Sequence, residues 1–168
     1  MNGKIVGGVI LIIAAIAGIT LYYLQVYGYY REVPAPAQGV ELVSLNSNAP
    51  EPILTDNFRA IDADSSPIRY RACFDTTLTE TYVISDKIDP RNAPGWFDCF
   101  DAAAIGAELE AGTALTFLGQ KNIHFGVDRI VAITSDGRGY IWHELNDCGD
   151  KAYDGTIVGE ACPELPNQ

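Results

Sequence analysis

Histidine and positive charge are scarce in this chain of 168 residues, which has two histidines and eleven lysines and arginines against twenty-two acidic residues. After residue 30 there are ten basic residues against the same twenty-two acidic ones, a difference of −12. This balance argues against nucleic acid as a partner, because binding to phosphates needs a basic patch. It also argues against a domain that lies flat on anionic lipid. The acidity suits a soluble domain or, more specifically, a basic protein partner.

Short motifs of the common enzyme classes are also missing. The chain contains no Gly-x-Ser-x-Gly elbow, no His-Glu-x-x-His zinc motif, no phosphate-binding glycine loop and no dinucleotide fingerprint. No Cys-x-x-Cys occurs, which argues against a thioredoxin-like redox motif and against c-type haem attachment. Because no nucleophile can be paired with a base, an enzyme is the least favoured class, and no cofactor is expected.

The two histidines, His124 and His143, would both be needed for a shared metal site. If the chain turns at Gly137-Arg138, His143 lies opposite Ala132, and His124 lies eight residues further along that strand. At roughly 3.3 Å per residue, the two would then be about 26 Å apart. We therefore expect two separate histidines and no metal site.

One long apolar segment, residues 5–24, contains twenty residues and no charge. Twenty helical residues span about 30 Å, the thickness of the hydrocarbon core of a bilayer. Five tyrosines follow between positions 22 and 30, where amphipathic rings favour the headgroup layer. These features predict a single transmembrane anchor over residues 1–30. A cleaved signal peptide is the alternative, but the nearest small-x-small site, Ala35-Pro36-Ala37, lies far downstream and contains proline.

The flanking charges predict the orientation of this anchor. Lys4 and the terminal amine precede the segment, whereas Arg31, Glu32 and the acidic domain follow it. The positive-inside rule then places the N-terminus in the cytoplasm and the rest of the chain outside. Four cysteines in the second part support an oxidising compartment outside the cytoplasm.

Four cysteines predict two disulfides, for which three pairings are possible. We favour Cys73 with Cys99 and Cys148 with Cys162, because the second pair closes a short loop around the turn Asp154-Gly155. By the chain-entropy model, closing such a loop contributes roughly 3 kcal/mol.

The chain is predicted to have three parts: the anchor over 1–30, a Pro-rich stalk over 31–52, and an α+β domain over 53–168. Proline-rich segments are extended, although residues 40–45 could form a short strand. Within the domain we predict strands at 68–74, 78–84, 114–118, 123–134 and 139–145, and a helix at 102–111 that is capped by Asp98 or Asp101 and ended by Gly112. This order indicates a small antiparallel sheet with one packed helix.

Two surface features could carry binding. Trp96 and Phe97 lie in the densest aromatic cluster after the anchor, and such residues can anchor a protein partner, although they more often pack between a helix and a sheet. Asp62 and Asp64 place carboxylates at alternate positions, as at the start of a calcium loop. The glycine and the distant glutamate of an EF-hand are missing, so a polar turn is the simpler interpretation.

Three segments carry a resemblance to known proteins: residues 60–74 (AIDADSSPIRYRACF), 93–100 (APGWFDCF) and 136–140 (DGRGY). With the apolar segment, they resemble an uncharacterised family of small single-span bacterial envelope proteins that carry a domain of unknown function. The resemblance implies a bacterial inner membrane with a periplasmic domain, and it implies no catalytic or ligand-binding residue.

Together these observations favour a non-catalytic interaction module that is anchored in the membrane and serves as an accessory or assembly subunit of an envelope complex. The alternative is a periplasmic module that binds a small ligand or an ion and acts as a sensor. A polar pocket that holds Arg69, Arg71 or Arg129 would favour this alternative.

The predicted topology can be tested by fusing alkaline phosphatase after Gln168. The fusion should be active, because this enzyme folds only where its own disulfides form. A well-expressed but inactive fusion would reverse the orientation.

Overall fold

A computed structural model describes residues 2–77, 82–86 and 89–163. It confirms an α+β fold, in which an N-terminal apolar helix precedes a six-stranded antiparallel sheet with one packed helix. The helices are α1 (Gly3–Tyr23), which continues as a π-helical turn (Leu24–Gly28), and α2 (Ala102–Glu110). The strands are β1 (Arg31–Val33), β2 (Val40–Val43), β3 (Pro50–Ile53), β4 (Asp56–Asp62), β5 (Arg71–Asp75), β6 (Ala114–His124), β7 (Val127–Thr134) and β8 (Arg138–Leu145).

The segment Gly3–Gly28 is long and apolar enough to cross a membrane, and no residue of its most apolar stretch is buried against the rest of the protein. Its side chains are nearly all hydrocarbon or aromatic. Water is a poor solvent for such a surface, so the segment has the length and composition of an anchor.

The large sheet has the strand order β1-β4-β5-β8-β7-β6, and every neighbouring pair is antiparallel. One row of paired residues crosses all six strands: Glu32, Ile61, Arg71, Trp142, Ile130 and Leu118. Since β1 follows α1 directly, the end of the sheet near this row is called the helix-side end. The opposite end, which holds the Ser135-Asp136-Gly137 loop, is called the far end.

The two faces of the sheet are covered by different elements. The side chains alternate between the faces along each strand, so that Trp142 and Tyr140 lie in a core with Ile105 and Leu109 of α2. Ile141 belongs to the opposite core, which the β2–β3 ribbon covers with Val40, Leu42 and Ile53. The sheet is therefore the middle layer between a helix and a two-stranded ribbon.

Local signals explain the limits of α2. The Asp101 carboxylate accepts hydrogen bonds from the backbone N–H groups of Ala103 and Ala104, at 3.0 and 3.1 Å, as an N-cap does. Gly112 follows the helix with φ of +72°, a conformation that glycine adopts without strain. The predicted helix is thus confirmed, with Asp101 as its cap.

The predicted extended stalk over residues 31–52 is wrong for this structure. Residues 31–33 form the edge strand β1 on β4, and β2 pairs with β3. Leu42 is fully buried and Val40 nearly so, in the same core as Phe117. The prolines that suggested a stalk, Pro50 and Pro52, lie in β3, the outer strand of a two-stranded ribbon, where a missing N–H costs little.

The single strand predicted over residues 123–134 is also wrong, because a tight turn at Phe125-Gly126 divides it into β6 and β7. Gly126 has φ of +72°, which a turn requires and most other residues avoid. Of the strand predicted at 78–84, residues 78–81 lie outside the described residues, whereas Tyr82 and Ile84 each form an isolated bridge, to Ser44 and Phe117.

The structure joins Cys73 to Cys99 and Cys148 to Cys162, with Cα–Cα distances of 6.2 and 5.0 Å. This is the predicted pairing. The first bridge ties β5 to the loop before α2 within the α2-side core. The second bridge holds the C-terminal segment, whose described residues are mostly exposed.

Loss of the first bridge should destabilise the whole domain, whereas loss of the second should loosen only the C-terminal segment. The double replacement Cys73→Ser and Cys99→Ser should lower the unfolding free energy by about 2–5 kcal/mol, measured by denaturant unfolding of the full chain in mild detergent. Cys148→Ser with Cys162→Ser is the matched control and should mainly speed tryptic cleavage after Lys151. Equal destabilisation by the two pairs would contradict this division.

Candidate functional site

A groove opens at the β1–β4 edge of the large sheet, beside the end of α1. Its cavity has a volume of about 370 Å³. We call it the edge groove; it is lined by Glu32, Val33, Phe58, Arg59, Ala60, Ile61, Trp96 and Phe97. Both aromatic residues that the sequence singled out thus meet the edge of the sheet here.

The edge is open because β1 is shorter than its neighbour. β1 pairs with residues 60–62 of β4, so that residues 56–59 have no outer partner among the described strands. The pairing of β4 with β5 is shifted between Asp56 and Arg59, and Asn57 has a positive φ of 52°. Such an irregularity blunts a sheet edge against uncontrolled pairing and leaves it available for a specific contact.

Phe97 and Trp96 have different environments. Phe97 is only 4% exposed and packs in the α2-side core, where the Arg59 guanidinium lies 5.5 Å from its ring centroid. Arg59 is held there by an ion pair with Asp98 at 2.9 Å. Phe97 therefore forms the floor of the groove rather than a free surface anchor. Trp96 keeps 37% of its surface exposed.

Trp96 connects the domain to the end of α1. Its indole N–H donates a hydrogen bond of 2.6 Å to the carbonyl oxygen of Val26 in the π-helical turn. Carbonyl groups in the last turn of a helix have no partner within the helix, so an outside donor can satisfy one of them. The indole also stacks on Tyr27 at 6.2 Å and meets Tyr30 edge-on at 6.0 Å.

Two arginines add to this contact. The guanidinium of Arg69 lies 5.6 Å from the Tyr30 ring centroid. Arg31 forms ion pairs with both Asp62 and Asp64. The Asp62 carboxylate also accepts from the backbone N–H of Ala63 at 2.8 Å. In this structure the two candidate calcium-loop carboxylates thus bind an arginine and a local backbone group, as a polar turn does.

Arg71 lies behind the groove and is only 5% exposed. It donates to the carbonyl oxygens of Ile68 and Tyr70 on one side, at 2.8 and 2.6 Å, and of Arg91 and Asn92 on the other, at 2.8 and 3.0 Å. Burial lowers its pKa to about 10, so it stays protonated at neutral pH. Its role is to fix the two loops that carry Arg69 and Trp96.

A buried polar cluster lies at the helix-side end of the sheet, on the face opposite α2. The His143 ring stacks on Tyr70 at 4.7 Å, and its Nδ1 lies 2.8 Å from the carbonyl oxygen of Pro67. Nδ1 must carry the hydrogen, because that oxygen can only accept. Nε2 then accepts from Nε of Arg129 at 3.3 Å. A second proton would face the Arg129 cation, so the neutral form is favoured.

The predicted separation of about 26 Å between the histidines, which assumed one continuous strand at roughly 3.3 Å per residue, is wrong. The ring centroids of His124 and His143 are 6.2 Å apart. The β6–β7 turn folds His124 back beside Val127, and His143 pairs with Arg129 rather than with Ala132. Across residues 2–77, 82–86 and 89–163, no group of three or more His, Cys, Asp or Glu residues could hold a metal ion.

Residues 40–163 match the model of a family of unknown function, DUF6446. The chain belongs to this family. The match begins at β2 and ends just past Cys162, so it covers both disulfides, the buried polar cluster and most of the edge groove. No curated protein and no solved structure matches the chain.

The buried His143 predicts a loss of stability in acid. Burial lowers its pKa to about 4, below the ordinary value of 6.5. Between these two values the unfolded chain binds a proton that the folded domain excludes, so the unfolding free energy falls as the pH drops through this window. At about 1.36 kcal/mol per pH unit, the full loss is roughly 3 kcal/mol.

This acid loss can be measured by denaturant unfolding in mild detergent at pH 7 and pH 4.5. His143→Gln keeps a donor for Pro67 and an acceptor for Arg129 but cannot be protonated, so most of the loss should disappear. His124→Gln, at an exposed position, is the control and should keep the loss. An unchanged pH dependence in His143→Gln would contradict the assignment.

Proposed function

We propose that this protein is a non-catalytic interaction module that is anchored by one helix in a bacterial inner membrane. In this proposal the N-terminus is cytoplasmic, the α+β domain is periplasmic, and the edge groove binds a protein partner in the same membrane or envelope complex. The observation that carries the proposal is the position of the groove, where Trp96 contacts both the sheet edge and the end of α1.

The groove has the features of a side-chain binding surface. Phe58 and Phe97 supply an apolar lining, and Glu32 and Arg59 supply charge of both signs. Residues 56–59 of β4 have no outer partner among the described strands, but the irregularity at Asn57 disfavours a regular added strand. In this proposal a partner therefore binds mainly through contacts with the aromatic lining and the charged rim.

The fixed contact between domain and helix supports a partner that is itself close to the membrane. An accessory subunit must present its binding surface at a defined height and orientation. The Trp96–Val26 hydrogen bond, the Arg69–Tyr30 contact and the Arg31 ion pairs hold the groove at the helix end. A partner with its own anchor would meet the groove without searching through the full volume of the compartment.

The alternative is a sensory module for a small ligand, which a polar pocket holding Arg69, Arg71 or Arg129 would favour. The contacts of these three arginines give it less support. Arg71 donates hydrogen bonds to four backbone carbonyl groups, and the Arg69 guanidinium lies over the Tyr30 ring. Arg129 binds His143 and lies 5.1 Å from the Tyr70 ring centroid. We therefore retain the interaction module.

Site-specific photocrosslinking in cells tests the proposal. Benzoylphenylalanine at position 32, on the exposed rim of the groove, should crosslink to a discrete membrane protein. The same residue at position 153 is the matched control, because Tyr153 is fully exposed and lies outside the groove. Crosslinked bands are identified by mass spectrometry after purification in mild detergent.

A second replacement tests whether the crosslink from position 32 depends on the groove. Adding Trp96→Ala should weaken the crosslink from position 32 severalfold, because it removes one wall of the groove, whereas Tyr153→Ala should leave it unchanged. Equal crosslinking from positions 32 and 153, or indifference to Trp96→Ala, would contradict the proposal.

A further inference from the structure

We propose that the helix-side end of the sheet rests in the lipid headgroup layer and touches it at two points, the Trp96 indole and the Phe125 tip of the β6–β7 hairpin. The inference rests on the proposed anchoring of α1 and goes beyond it, because an anchored domain could equally stand clear of the membrane. The occupant of this surface is the lipid of the membrane that holds α1.

The height of Trp96 follows from its hydrogen bond to Val26. No charge occurs between Ile5 and Tyr30, and Val26 lies in the tyrosine-rich last part of this run. Tyrosine rings favour the headgroup boundary, so an indole nitrogen 2.6 Å from the Val26 carbonyl oxygen lies near that boundary once α1 spans the membrane. Trp96 packs there on Tyr27 and Tyr30 and adds a ring to the tyrosine belt.

The hairpin extends toward the same end of the sheet. Trp142 lies in the row of paired residues that includes Glu32 of β1, next to the end of α1. β8 continues three residues past Trp142 to Leu145, or about 10 Å at roughly 3.3 Å per residue. Leu145 pairs with Val127, and the Phe125-Gly126 turn lies just beyond that pair. The hairpin thus extends past the Glu32 row in the same direction as Arg31, the first residue of β1 after the helix.

The tip carries apolar side chains that the protein does not cover. Phe125 is 48% exposed and Leu145 is 52% exposed. Of the carboxylates near the tip, Glu144 pairs with Arg91 and Asp128 accepts from Asn122 and Asn146, whereas Asp147 is exposed. Apolar and aromatic groups with few free charges suit the headgroup boundary, and this contact needs no anionic lipid. The net acidity of the domain therefore does not oppose it.

Quenching of tryptophan by brominated phosphatidylcholine tests both points on the full chain in vesicles. The protein has only two tryptophans, Trp96 and the fully buried Trp142. Bromines near the carbonyl end of the acyl chains should quench wild-type emission more than bromines near the methyl end. Trp96→Phe, which leaves only Trp142, should lose most of this quenching.

The hairpin is tested in the Trp96→Phe background by adding Phe125→Trp, which should restore quenching with the same depth preference. Leu54→Trp is the matched control, because Leu54 is 90% exposed and precedes β4 at the far end; it should remain unquenched. Phe125→Trp in a chain that keeps Trp96 should show the same added quenching, which excludes a shift of the domain by the first replacement.

Flotation of the vesicles on a density gradient separates the two proposals. Protein that floats with the vesicles but shows no quenching at position 125, or equal quenching at position 54, would overturn the two-point contact and leave the anchor intact. Protein that fails to float would overturn both.

Discussion

The four hydrogen bonds of the buried Arg71 join the two loops that carry Arg69 and Trp96 to the end of α1. They join the loop before β5 to the loop after residue 89, and that second loop leads directly to Trp96 and to the disulfide at Cys99. A guanidinium presents five donors in a fixed planar fork, whereas a lysine ammonium has three. Arg71, the buried Phe97 and the Cys73–Cys99 bridge together fix the loop from which the indole reaches Val26.

Local signals predicted much of the fold. Asp101 and Gly112 define α2, and the short loop around Asp154-Gly155 favoured the disulfide pairing that the structure has. The β6–β7 turn was missed because Phe125-Gly126 interrupts a run that otherwise has the composition of one strand. That omission displaced His124, and together with the wrong partner for His143 in the β7–β8 hairpin it produced the wrong distance between the two histidines. A short strand over residues 40–45 was considered, and β2 lies there, but its partner β3 was missed because proline usually indicates a linker and only an edge strand tolerates it.

The candidate site was partly visible in the sequence. Aromatic density identified Trp96, but the acceptor of its hydrogen bond lies 70 residues earlier in the chain. No periodicity or turn signal connects positions so far apart. The burial of Phe97 agrees with the packing between helix and sheet that the sequence analysis named as more frequent, but the sequence did not tell which of the two aromatic residues is buried, because that depends on how the loop before α2 packs against β5 and β8. The contacts among distant segments decide both outcomes, and only the three-dimensional fold supplies them.

The π-helical turn ends at Gly28 and β1 begins at Arg31, so the domain starts close to the end of the helix. A stalk of twenty-two extended residues would have carried the domain roughly 68 Å from the helix at about 3.1 Å per residue. Instead, β1 begins three residues after the π-helical turn, and a strand of eight residues such as β8 spans only about 26 Å. The lengths of the strands, and not the length of a linker, thus determine how far the domain extends from the helix end.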